Sequence, residues 1–101
     1  MRLLFLGLSI LSSVVFAADK NCGGKITLVM GDHSACGGHM AFKTEASNTK
    51  WMCTKSNEAG SIVLTALTAG KETAVYIDDS RISTCPDLPH YRKISYVIIY
   101  P

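Results

Sequence analysis

The stretch SNEAGSIVLTALTAGKETAVYID, residues 56–78, changes its hydrophobic period part-way along, and that change decides the fold. Ala59, Ile62, Val63, Ala66 and Leu67 recur at helical spacing and form one apolar stripe. Ser56 or Asn57 can cap the start, Glu58 suits the positive end of the helix dipole, and Gly70 can end the helix. Gly60 weakens such a helix by about 1 kcal/mol relative to alanine, which suggests close packing on a sheet. From Glu72 onward the period falls to two, with Thr73, Val75 and Ile77 on one face and Ala74 and Tyr76 on the other. Helix, glycine stop and strand follow one another here.

Upstream, the alternation is that of strands. KITLVM (25–30) sets Ile26, Leu28 and Met30 against Lys25, Thr27 and Val29, which predicts one strongly buried face. GDHSACGG (31–38) is a loop, and HMAFKTEA (39–46) alternates again with Met40 and Phe42 inward and Lys43 and Glu45 outward. EASNTK is a turn by composition, and KWMCTK (50–55) is a short third strand. Downstream, DSRISTCPDLPHYR is a loop punctuated by Pro86 and Pro89. KISYVIIY (93–100) closes the chain as a fifth strand, and its apolar run at Val97 to Ile99 predicts a central position. The expected fold is therefore mainly β with one α-helix: a five-stranded, partly open barrel in the order β-β-β-α-β-β.

Residues 1–17 read as a secretory signal. Arg2 supplies the positive n-region, LLFLGLSILSSVVF the apolar core, and Val15 and Ala17 the small residues at −3 and −1. The run is short of the roughly 20 apolar residues that would span a bilayer, and no later segment is a membrane span. A single domain over residues 18–101, secreted or periplasmic after cleavage, is expected. Ten Lys and Arg, less Arg2, face eight Asp and Glu in that part, a net charge near +1. Nucleic-acid binding would need clustered excess basic residues, and this balance argues against it.

Cys22, Cys36, Cys53 and Cys85 all lie after the signal, and an even count in a small exported domain points to two disulfides. Three pairings are open in principle. Placement along the elements favours Cys22–Cys36, closing the first loop, and Cys53–Cys85, tying the meander to the strands beyond the helix. His33, Cys36 and His39 stand at three-residue steps, and with Cys22 they have the ligand types of a tetrahedral zinc site. Export to an oxidising compartment favours the disulfide instead, and Cys22 has no near partner of the C-x-x-C kind. Metal and cofactor are accordingly not expected, and the histidines read as solvated loop residues.

No catalytic arrangement emerges, so an enzyme is not expected. Ser61 lies inside the helix rather than on a nucleophile elbow, and the adjacent Asp78 and Asp79 point to opposite faces of a strand. The loop before the last strand is the candidate binding surface, because it gathers Asp79, Arg81, Asp87, His90, Tyr91 and Arg92. Asp79, Arg81, Tyr91 and Arg92 are the chosen ligand-binding residues: planar groups stack on a sugar ring, and charged groups bond its hydroxyls. Trp51 reads as core or subunit interface rather than ligand platform.

Signal, meander, SIVLTALTAGKETAVYID, cysteine loop and final YVIIY strand together resemble a known family. They are similar to the small exported OB-fold domains related to the binding (B) subunits of bacterial A–B toxins, especially the subtilase-cytotoxin and pertussis-like type. In that family a mid-chain helix ending in a T-x-G-K/Q turn leads into a strand of the form V-x-I/Y, and Thr68 to Ile77 matches this. The resemblance implies a non-catalytic module that binds a cell-surface glycan, a homo-oligomeric ring such as a pentamer, and a toxic A-type subunit as partner. A second class fits the same size and export: a monomeric inhibitor or immunity-type protein that blocks an enzyme.

Overall fold

In the computed structural model, residues 19–78 and 83–101 are described, and the expected signal lies outside them. The elements run β1 (Asp19–Asn21), β2 (Gly24–Met30), β3 (Ala41–Thr44), β4 (Met52–Cys53), α1 (Asn57–Ala69), β5 (Glu72–Asp78), β6 (Arg92–Lys93) and β7 (Tyr96–Ile99). Short 3-10 turns occupy Ser34–Cys36 and Cys85–Asp87. The expected β-rich order with one helix is there, but in seven strand segments rather than five.

Two breaks account for the extra count. At the first, a Cβ on Gly23 would stand 2.2 Å from the Thr73 carbonyl oxygen, and Gly24 has φ +97°. Only glycine lets the chain pass so close to β5 and change direction there, so the first strand divides into β1 and β2. Both segments pair antiparallel with β5, β1 through Asp19↔Asp78 and β2 through Gly24↔Thr73. At the second break the last strand changes partner: Ile94 N–H donates to Cys53 O at 3.0 Å, and Ser95 N–H donates to Tyr76 O at 2.8 Å. Hence β6 lies parallel to β4, while β7 lies antiparallel to β5. With β2–β3 and β3–β4 antiparallel, the pairings link both margins of one curled, barrel-like sheet.

The curl overturns three expectations. Cysteine pairing is Cys22–Cys85 and Cys36–Cys53, in place of Cys22–Cys36 and Cys53–Cys85. Curvature brings the start of the first strand to the last long loop and the 31–40 loop to β4, which linear placement along the chain does not reveal. The final strand is not central, since among the described residues β7 pairs only with β5, and Ile98 is 42% exposed. The central strand is β5, flanked by β1 and β2 on one side and β7 on the other, with Thr73, Ala74, Val75 and Ile77 all buried. Leu28 points outward, 48% exposed, because the β2–β3 register shifts between Ile26 and Leu28 and reverses the alternation. Val29 packs against the core instead.

α1 is capped as its sequence suggests. Ser56 Oγ accepts from Ala59 N–H at 3.1 Å, and Gly70, at φ +65°, closes the other end with its N–H on the Ala66 and Leu67 carbonyls. It packs on β2 and β7. Val63 and Ala66 are fully buried, whereas Ile62 and Leu67, expected to be buried with them on the apolar stripe, are half-buried. Phe42, Met52, Val75, Ile77, Leu88 and Ile94 complete the core with Cys22. A second, smaller buried cluster joins Cys36, Ala41 and Cys53, with Met30, Trp51 and Tyr91 packed against it. Among the described residues, no helix is long and apolar enough to cross a membrane.

Candidate ligand-binding surface

The smaller cluster supports the surface on which two loops and β4 meet. The first loop folds on its own backbone. Cys36 N–H and Gly38 N–H both donate to His33 O, at 2.9 and 3.0 Å, and His33 N–H donates to His39 O at 3.2 Å. His33 also caps the 3-10 turn, its Nδ1 accepting from Ala35 N–H at 3.0 Å, so the neutral ring carries its proton on Nε2. Cys36–Cys53 then bolts this loop to β4.

The second loop reaches the same place from the opposite end of the chain. Leu88 is fully buried, and its carbonyl accepts from Lys50 Nζ at 3.1 Å. Asp87 accepts from the hydroxyls of Ser83 and Thr84, both at 2.9 Å. These hydrogen bonds, Ser83's first and Thr84's second, hold the Asp87 carboxyl below its ordinary value. Tyr91 N–H donates to Trp51 O at 2.7 Å, and Trp51 N–H donates to His90 Nδ1 at 3.4 Å. The loop end is thus laced to the start of β4.

Tyr91 takes a left-handed backbone, φ +64°, rare for an aromatic residue and costing on the order of 1–3 kcal/mol. That conformation lays its ring on His33, with centroids 4.4 Å apart and planes 21° from parallel. His90 lies beyond it at 5.9 Å, tilted by 42°. Lys43 Nζ sits 4.7 Å over the Trp51 ring, a cation–π pair on a half-buried indole. Two aromatic units result, the stacked pair His33–Tyr91 and the Lys43-covered Trp51. Both rest on the Cys36–Cys53 cluster.

Of the four ligand-binding residues read from sequence, Asp79 and Arg81 lie outside the described residues. Tyr91 stands at the centre of the surface. Arg92 is next to it, but its Nη2 donates to Asp78 O at 3.1 Å, which fastens the loop's exit to the end of β5. His33, Lys43 and Trp51 belong to the surface and were not assigned to it from sequence. Only the left-handed Tyr91 turn brings His33 under that ring, and no spacing signal encodes such a contact. His33 and His39, read as solvated loop residues, lie in the loop half-buried, and each makes a ring hydrogen bond; exposed His90 makes one too.

The sulfurs of Cys22 and Cys36 sit in separate bridges, so neither is a thiolate ligand. Among the described residues no three His, Cys, Asp or Glu side chains converge on a point. What the surface offers is half-buried aromatic rings with hydrogen-bonding edges, one of them covered by a lysine ammonium. Such groups hold a ligand by stacking and hydrogen bonding. The chain matches no family model, no curated protein and no solved structure.

Proposed function

We propose that this protein is an exported, non-catalytic recognition module of OB type that binds a carbohydrate on a cell surface. One observation carries the reading: the stacked His33–Tyr91 pair beside Trp51, assembled from three distant segments and held by a disulfide. A flat, rigid aromatic patch with polar edges suits the C–H face and the hydroxyls of a sugar ring. Arg92 stands next to Tyr91 at its margin; Asp79 and Arg81, the other charged residues read as ligand-binding from the loop's sequence, lie outside the described residues.

The OB assignment is supported by the order of pairing. A first strand shared between β3 and β5, a parallel β4–β6 contact and a helix between β4 and β5 suit a five-stranded Greek-key barrel in which β1–β2 and β6–β7 are broken single strands. Two disulfides suit export to an oxidising compartment. Single protein–sugar contacts are weak, and a ring of copies would raise avidity by about 10²–10⁴. A toxic A-type subunit is the partner such a ring would accompany.

The test is a glycan array probed with the mature protein and with Tyr91→Asn, a change that keeps a left-handed-tolerant residue while deleting the ring. Loss of array signal with a cooperative thermal transition retained is the expected result. A wild-type protein that retains no glycan and sediments as a monomer overturns the reading in favour of an enzyme inhibitor.

A further inference from the structure

Five of the seven described glycines are demanded by close backbone approach or positive φ. Gly31 and Gly60 are not. A Cβ on Gly31 would meet nothing within 4 Å, and one on Gly60 would find Met40 at 3.7 Å, an ordinary contact. The sheet therefore does not require the glycine that interrupts α1. Both residues line the same groove, of about 230 Å³, between the 31–40 loop and the N-terminal half of α1. A Cβ at either would narrow it.

Met40 and Leu64 give the groove apolar surface, and Asp32, His39, Asn57 and Ser61 give it polar groups. His39 Nδ1 lies 3.2 Å from Asn57 Oδ1, which ties the loop to the helix across one wall. Among the described residues no lysine or arginine lines the groove. We propose that it holds one neutral sugar residue, as a second subsite of the glycan read at the Tyr91 surface; the inference rests on that carbohydrate reading. Its volume lies below the roughly 300–1,000 Å³ of sites for drug-sized ligands, so a single ring is the fitting occupant. Apolar surface meets the C–H face of such a ring, while carboxylate, amide and hydroxyl meet its hydroxyls. A lone carboxylate with no cation disfavours an acidic sugar. The missing Cβ atoms let the ring approach the backbone. The turn from His33 to His39, closed by the His33 N–H to His39 O bond, is the wall shared by the two subsites.

The experiment is an amide NMR titration of the mature chain with galactose, glucose and N-acetylglucosamine, and separately with N-acetylneuraminic acid. At least one neutral sugar should shift the amides of Gly31, His39, Asn57 and Gly60. Gly60→Ala and Gly31→Val should each weaken that binding about tenfold, as an added methyl group in a fitted site does. Neither should lower the melting temperature, and Gly60→Ala should raise it. Tyr91→Asn should leave the groove shifts in place, which separates this subsite from the platform. Silence of the groove amides with every neutral sugar, unchanged binding by Gly60→Ala, or an equal response to N-acetylneuraminic acid would each overturn the proposal. If the platform amides alone respond, the carbohydrate reading stands and the second subsite falls.

Discussion

The two loops that form the candidate surface are fastened by different means. Residues 31–40 form a compact turn, closed by hydrogen bonds to its own backbone and bridged to a strand 17 residues away along the chain. Residues 83–91 make fewer bonds among themselves and are bridged across 63 residues, from Cys85 to Cys22 beside the first strand. One bridge decorates a locally determined structure; the other closes the domain. Loop-closure entropy follows the enclosed length, so the chain-entropy account ranks the long bridge above the short one. Position agrees with that ranking, because Cys22 belongs to the main core and Cys36–Cys53 to the smaller cluster under the surface.

The largest effect should come from removing the long bridge. Replacing Cys22 and Cys85 together by alanine removes a constraint of about 4 kcal/mol. A domain of this size has a total stability of only about 4–13 kcal/mol. Urea unfolding of the double variant should show the midpoint moved down by the equivalent of about 4 kcal/mol, further than in the short-bridge variant. Replacing Cys36 and Cys53 should cost about 3 kcal/mol. The main core should persist with a cooperative transition, while Trp51 near-ultraviolet dichroism and ligand binding should be lost. A short-bridge variant less stable than the long-bridge one would break the comparison.

The same contrast explains what the sequence discloses. Locally determined features were legible: β5 occupies Glu72–Asp78 as its alternation suggests, and α1 begins behind Ser56 and ends at Gly70. Features that depend on curl were not. β1 is the polar segment Asp-Lys-Asn, with no apolar period, and is a strand only because the end of β5 pairs with it. The partner exchange between Ile94 and Ser95 leaves no mark in KISYVIIY, so the sequence reads as one strand where β6 and β7 stand. Cysteine pairing follows the curl and failed with it. At the surface, Tyr91 was legible from the loop's composition, whereas its contact with His33 requires a backbone conformation that Tyr rarely adopts.

The smallest effect sharpens the contrast at the level of single turns. The 3-10 turn of the first loop is capped by a ring nitrogen, Nδ1 of His33, and that of the second is fastened by a carboxylate, Asp87, accepting from Ser83 and Thr84. Because Asp87 ionises below its ordinary value of 3.8 in the folded chain, the folded state binds its proton less tightly than the unfolded chain does. Its contribution is therefore fully present above that ordinary value and lost as pH falls through the lower, folded one. Asp87 is solvent-exposed, so the loss should loosen the 83–88 turn without unfolding the domain. Carbon-detected NMR titration of the Asp87 carboxyl should find its midpoint lowered. Ser83→Ala should move that midpoint upward more than Thr84→Ala, following the order of the two causes. If both variants leave it in place, the hydroxyl bonds do not hold the turn, and the tether from Cys85 to Cys22 positions the second loop without them.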